Sequence, residues 1–158
     1  AAVVLILLIA WIAWGNTALE VSEFVVSSEK LPESFSGYRI AQISDLHNAQ
    51  FGEENSQLLE LLESTDPDCI VLTGDLVDSR RTDVEVAVSF GEQAVKIAPV
   101  YYVNGNHEAR IEEYEDLKAG LEKAGVTVGK PGGAVGAFRP ANLSGGSERP
   151  QLSNGFPV

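Results

Sequence analysis

Sulfur is nearly absent from this sequence, which contains one cysteine, Cys69, and no methionine. A single cysteine excludes an intrachain disulfide and the cysteine-rich zinc sites. Histidine is also scarce, with only His47 and His107, so any metal site must depend largely on carboxylate and amide oxygens. Because translation begins with methionine, we expect the N-terminus to be missing or processed.

Basic residues are few as well: 11 Lys and Arg stand against 23 Asp and Glu, which gives a net charge of −12. An acidic chain repels phosphate backbones, so we expect no nucleic-acid binding. The 158 residues are 44% apolar and 22% charged, a balance typical of a globular protein. The length suits one domain, or one domain with an appendage.

Charge is missing altogether from residues 1–19, and residues 1–14 are an unbroken apolar run. A membrane-spanning helix needs about 20 apolar residues, and this run begins at the first residue given. Trp11 and Trp14 are typical of a membrane interface. We therefore predict a single-pass transmembrane anchor over residues 1–19, with a cleaved signal peptide and a buried core helix as the alternatives. Since the following segment is acidic, we expect the soluble part to lie outside the cytoplasm.

Periodicity is missing from the other end of the chain, from Val126 onwards. Residues 126–158 contain 7 of the 15 glycines and 4 of the 7 prolines. Such composition is typical of flexible coil, so we predict a disordered tail over residues 129–158. A natural linker and a change of reading frame near residues 125–129 are alternative explanations for the abrupt change in composition.

Between these ends, residues 20–128 alternate between two kinds of pattern. Short apolar or alternating stretches predict strands over residues 21–27, 38–43, 69–72 and 100–103. Apolar residues at helical spacing predict helices over residues 55–63, 83–98 and 111–124, with Asn55 as a cap and with Pro99 and Gly125 as the ends of the second and third. The alternation indicates βαβ units and a largely parallel sheet, so we predict an α/β fold.

Polar clusters follow three of the predicted strands: Asp45 and His47, then Gly74 and Asp75, then residues 104–108. Ligands bind outside the carboxyl ends of parallel strands, so the clusters should meet at one edge of the sheet. On an extended segment, Asp45 and His47 would point the same way and chelate one ion. Gly74 and Gly105 would permit sharp turns and close approach of an ion or substrate.

The chemistry of these side chains favours a metal centre. Asp75 can bridge two ions through its two oxygens, and Asn106 offers a neutral amide oxygen. Mixed nitrogen and oxygen ligands suit Mn, Fe or Zn. Two such ions can clamp the attacking and leaving oxygens of a phosphoryl displacement.

The ordered set D-x-H, G-D and G-N-H-E resembles the calcineurin-like metallophosphoesterases. The surrounding sequence, roughly residues 17–128, is similar to their bacterial membrane-anchored branch. The resemblance implies a partial metallophosphoesterase sandwich, its βαβαβα half, over residues 20–128. It also implies roles for individual residues: first-metal ligands Asp45 and His47, bridging carboxylate Asp75, second-metal ligand Asn106, leaving-group acid or transition-state stabiliser His107, and neighbours that bind no metal, Asp78 and Glu108.

The implied function is hydrolysis of phosphate mono- or diesters by a hydroxide that bridges two divalent metal ions. The predicted anchor favours a membrane-associated phosphoester substrate. The chain departs from the family pattern because no histidine follows His107, so at least three expected ligands are absent. The alternative function is therefore a catalytically inactive, membrane-anchored fragment that binds at most one metal weakly.

Overall fold

A parallel sheet organises the part of the chain that the computed structural model describes, residues 3–4 and 19–129. Its strands are β1 (Ile40–Ile43), β2 (Cys69–Leu72), β3 (Val100–Tyr102) and β4 (Thr127–Val128). They lie in the order β1-β2-β3-β4, and each pairs with its neighbour in parallel. The predicted α/β class and parallel sheet are confirmed. All carboxyl ends of these strands therefore lie at one edge.

Helices connect the strands: α1 (Ser56–Ser64) between β1 and β2, α2 (Val84–Ala94) before β3, and α3 (Tyr114–Ala124) before β4. Helix α2 begins where the Asp83 side chain accepts a hydrogen bond from the Val86 N–H at 3.3 Å. It ends at Ala94, before the predicted limit at residue 98, because the next turns close through i to i+3 bonds. Gly125 ends α3 in the left-handed conformation with φ 96°, as predicted.

The core lies between the sheet and the helices, and it holds the loops at the carboxyl edge in place. Ile70 and Leu72 on β2 and Phe90 on α2 are almost completely buried, as are Leu117 and Leu121 on α3. Burial of each such side chain is worth about 1.5–3 kcal/mol. The loops that follow β2 and β3 therefore start from fixed positions.

Three local predictions are wrong. Residues 21–27 form no strand, and Phe24, Val25 and Val26 are 86%, 96% and 80% exposed. Alternation yields a strand only where a partner pairs with it, and no strand of the described residues pairs with this segment. Asn55 does not cap α1, because its Oδ1 accepts from the Phe51 N–H at 3.0 Å and so closes the preceding loop. Strand β4 lies where we expected the periodicity to have ended.

The predicted anchor over residues 1–19 and the predicted tail over residues 129–158 lie outside the described residues, apart from Val3, Val4, Leu19 and Gly129. Across the described ranges, no helix combines the length and the apolar character needed to cross a membrane.

Candidate metal centre

Three loops at the carboxyl edge of the sheet build the site. The first loop, residues 44–50, follows β1; the second, residues 73–83, follows β2; the third, residues 103–110, follows β3. Main-chain bonds join the first loop to the second: the N–H groups of Asp45 and His47 donate to the carbonyls of Gly74 and Asp75 at 3.1 and 2.9 Å. The two loops are therefore held side by side.

The predicted ligands on these loops adopt left-handed backbone conformations. Asp45, His47 and Asp75 have φ of 57°, 48° and 53°. The extended geometry expected for Asp45 and His47 is therefore wrong, because each N–H turns towards a carbonyl of the second loop. A non-glycine residue in this region costs about 1–3 kcal/mol, and such strain is concentrated at functional sites.

Donor atoms from all three loops converge. One ligand atom each of His47, Asp75 and His107 lie within 4.8 Å of one another. Asp75 is only 8% exposed, and the two histidine rings meet edge to face with centroids 4.4 Å apart. Asp45 Oδ1 lies 3.8 Å from His47 Nε2. The His47 imidazole and the Asp45 and Asp75 carboxylates form a donor set that suits Mn, Fe or Zn, so these three residues fit a divalent ion.

Asn106 is the one predicted ligand that the structure does not tie to this group. It lies on the third loop beside His107 and is exposed. Within the described part of the chain, its side chain makes no hydrogen bond. Its role as a ligand of a second metal stays a prediction.

His107 is held through both its backbone and its ring. Its main-chain N–H donates to Asp75 Oδ1 at 2.9 Å, and its ring Nδ1 accepts from the Ser79 N–H at 3.0 Å. A neutral imidazole that accepts at Nδ1 has its proton on Nε2. That nitrogen is then a hydrogen-bond donor and has no free lone pair for a metal. The Nε2–H group can donate a hydrogen bond, and the role of His107 as leaving-group acid or transition-state stabiliser stays a prediction.

Asp78 is a fixed negative charge beside this ring, with Oδ1 3.7 Å from His107 Nδ1. The Arg80 N–H, which donates to the Asp78 carboxylate at 2.9 Å, lowers the pKa of that carboxyl, and the nearby His107 and His47 rings lower it further. The lowered pKa favours the ionised form of Asp78 beside the ring.

Backbone contact between the second and third loops explains the two glycines. A Cβ atom at Gly74, whose φ is 92°, would lie 2.5 Å from the Gly105 nitrogen, and one at Gly105 would lie 2.2 Å from Asp75 Oδ1. The expected sharp turn is present at Gly74. The facing loop fills the space that we had expected an ion or substrate to use.

Two contributors to the site were not assigned these roles from the sequence. Ser79 acts through its main-chain N–H on His107, and buried Glu108 accepts main-chain N–H groups from both loops. The sequence indicated only that Glu108 lies near the site. Main-chain donors leave no mark on the side-chain pattern, so neither contact could be found from it.

Comparison with known proteins gives a consistent set of matches. Residues 38–154 match the family model of the calcineurin-like phosphoesterases. One relative is a zebrafish (Danio rerio) protein named transmembrane protein with metallophosphoesterase domain. The two sequences are 28% identical over 110 residues, and this alignment covers 68% of this chain and 25% of the relative. The chain is 32% identical over 66 residues to the uncharacterised metallophosphoesterase YkuE of Bacillus subtilis, covering 40% of this chain and 23% of the relative.

A bovine (Bos taurus) protein with the same name as the zebrafish relative is 31% identical over 85 residues, covering 52% of this chain and 19% of the relative. The chain thus spans a quarter or less of the length of these curated relatives. No solved structure matches the chain significantly.

Proposed function

The chain belongs to the calcineurin-like phosphoesterase family, and from that membership we propose that it serves metal-dependent hydrolysis of phosphate mono- or diesters. The observation that carries the proposal is the convergence of donor atoms from His47, Asp75 and His107 within 4.8 Å at the carboxyl edge of the sheet. Family membership alone would not require these side chains to meet.

Asp45, His47 and Asp75 are the residues that would hold a divalent ion. Asp75 Oδ1 accepts the His107 N–H, which leaves Oδ2 available for coordination. When bound, such an ion supplies Lewis-acid stabilisation of phosphoryl oxygens and makes water a stronger nucleophile at neutral pH.

In this proposal, His107 stabilises the transition state as a hydrogen-bond donor. Because Nδ1 accepts from the Ser79 N–H, the Nε2–H of the neutral ring can donate a hydrogen bond to a phosphoryl oxygen. Asp78 Oδ1 lies 3.7 Å from the same Nδ1 atom. A fixed N–H donor aimed at developing negative charge supplies electrostatic stabilisation of the transition state.

The substrate is proposed to have an apolar part and to lie in or at a membrane. A cleft of about 270 Å³ adjoins Asp45 and is lined mostly by apolar side chains: Leu19, Ile43, Leu46, Ala49, Phe51 and Leu58. Two of the relatives are named transmembrane proteins, and residues 1–14 are wholly apolar. Each observation supports a lipid-like phosphoester.

The second candidate function is binding of a single metal ion without catalysis. It is favoured by the number of ligands, because the chain has two histidines and Nδ1 of one of them, His107, already accepts the Ser79 N–H. Two-metal hydrolysis needs both ions at a fixed separation. Asp75 and Asn106 alone would hold a second ion weakly, so this candidate predicts one bound ion and no turnover.

Metal titration combined with an ester assay separates the two functions. The chain is titrated with Mn²⁺ by calorimetry and assayed with bis-p-nitrophenyl phosphate at saturating Mn²⁺. Hydrolysis that Asp75→Asn abolishes, and that the exposed control Asp116→Asn leaves intact, supports the phosphoesterase. One bound Mn²⁺ without hydrolysis supports the second function, and no Mn²⁺ binding contradicts both.

A further inference from the structure

Glu108 is a buried carboxylate whose hydrogen-bond partners are all backbone amides. It is 0% exposed, and within the described residues no lysine, arginine or histidine pairs with it. Its Oε2 accepts from the N–H groups of Asp75 and Gly105 at 2.9 and 2.7 Å, and its Oε1 accepts from the Val77 N–H at 3.2 Å. A buried charge is costly unless hydrogen bonds satisfy it, and here three amides do so.

These three amides belong to two different loops. Asp75 and Val77 lie on the second loop, whereas Gly105 lies on the third, so Glu108 Oε2 ties the loops together. The junction has no spare room, because a Cβ atom at Gly105 would meet Asp75 Oδ1 at 2.2 Å. Bonds to an ionised acceptor are shorter and stronger than neutral ones. A carboxylate at position 108 can therefore hold two loops in direct backbone contact.

The bonds of Glu108 lead directly to the candidate metal centre. Asp75 has φ 53°, and its own N–H is one of the groups that Glu108 accepts. The Asp75 side chain in turn accepts the His107 N–H at 2.9 Å. Glu108 thus holds the strained turn from which the Asp75 carboxylate projects, and it holds the loop that presents His107.

We propose that Glu108 is the positioning residue of this metal centre. It aims the Asp75 carboxylate and the His107 ring at the same point by fixing the amides of residues 75, 77 and 105. It touches neither metal nor substrate. The proposal rests on the proposed function in one respect: it assumes that the Asp75 carboxylate binds a divalent ion.

Three variants of the full chain, purified in non-ionic detergent, test this role. Glu108→Gln keeps the shape but places an NH₂ group against a backbone donor. Glu108→Asp keeps the negative charge but is one methylene too short to reach both loops. Glu112→Gln removes one charge from an exposed neighbour and is the matched control.

The main measurements are Mn²⁺ affinity and melting temperature. Positions that orient metal ligands typically change affinity by about 10–100-fold when substituted. We expect a loss of that size in both Glu108 variants and none in Glu112→Gln. A Glu108→Asp variant with wild-type affinity would overturn the proposal, because charge alone would then account for the role. Parallel losses of affinity and melting temperature in both variants would also overturn it, since they would indicate a merely structural part.

Amide exchange provides a test that needs no metal, with the wild-type chain and Glu108→Gln compared. The N–H groups of Asp75, Val77 and Gly105 should be protected, and in Glu108→Gln they should lose protection while Leu72 in β2 keeps it. Fast exchange of the three amides in the wild type would show that the bonds are not maintained, and it would overturn the proposal. If the wild type binds no Mn²⁺, the proposed function fails, and the amide data still decide whether Glu108 fixes the loops.

Discussion

Individual residues of the site show which of its features the side-chain pattern of the sequence can predict and which it cannot. The sequence placed Asp45, His47, Asp75 and His107 at one sheet edge because polar residues after parallel strands must meet there. It did not indicate their left-handed backbones, since Asp and His are among the residues that tolerate positive φ without any sequence signature. It also did not indicate the hydrogen bonds that orient His107, because their partners are main-chain atoms of Ser79 and a side-chain oxygen of Asp75.

Gly105→Ala should damage the candidate metal centre through sterics alone. The added methyl group would lie 2.2 Å from Asp75 Oδ1, so either the carboxylate or the third loop must move. We expect destabilisation of about 1–3 kcal/mol, the range for an overpacked site, together with loss of Mn²⁺ binding. Urea unfolding and calorimetric Mn²⁺ titration of the purified variant measure the two effects.

Gly37→Ala is the control for backbone conformation. Gly37 has φ 73°, but no atom lies within 4 Å of the position a Cβ would take. This substitution should cost about 1–2 kcal/mol through left-handed strain and leave Mn²⁺ binding unchanged. Equal loss of Mn²⁺ affinity in both variants would show that the contact with Asp75 is not the cause.

At the scale of secondary-structure elements, the sequence predicted a strand correctly where an apolar stretch is buried within the sheet. Strand β2 was placed without error because Cys69, Ile70 and Leu72 form an apolar run that the sheet covers. Residues 21–27 alternate instead, and they form no strand: no described strand pairs with them, and Phe24, Val25 and Val26 are exposed. Strand β4 was missed for the opposite reason: Thr127 and Val128 are too few to show periodicity, and β3 supplies the pairing.

Cys69 provides a measurement of how tightly β2 is held. Its side chain is 1% exposed, and burial raises the pKa of the thiol, with the Asp68 charge raising it further. Alkylation requires the thiolate, so both low access and raised pKa should suppress reaction in the native sheet. We expect iodoacetamide at pH 8 to label the native chain far more slowly than the chain in guanidinium chloride, as followed by mass spectrometry. Equal labelling rates in the two states would indicate that the sheet opens readily.

For the whole molecule, the described residues form one sheet whose carboxyl edge holds the candidate site, and the relatives extend far beyond the matched part. The chain spans 25% or less of each of them. Its acidic charge is concentrated before residue 126, and such charge gains nothing from an anionic membrane surface. Membrane attachment would then depend on the apolar run and not on electrostatics.

Membrane attachment through residues 1–14 is therefore expected to resist high salt and alkaline carbonate. The physical reason is that the run lacks any charge, whereas a charged residue at the centre of a spanning helix costs about 2.5–3.5 kcal/mol on insertion scales. The test is fractionation of cells that express the chain, followed by salt and carbonate washes of the membranes. The double variant Ile6→Asp with Ile9→Asp should shift the protein into the wash. Val25→Asp with Val26→Asp adds the same charge at positions that are 96% and 80% exposed, so this control should stay with the membranes. Release of the unaltered chain by carbonate, or release of both double variants alike, would exclude residues 1–14 as the anchor.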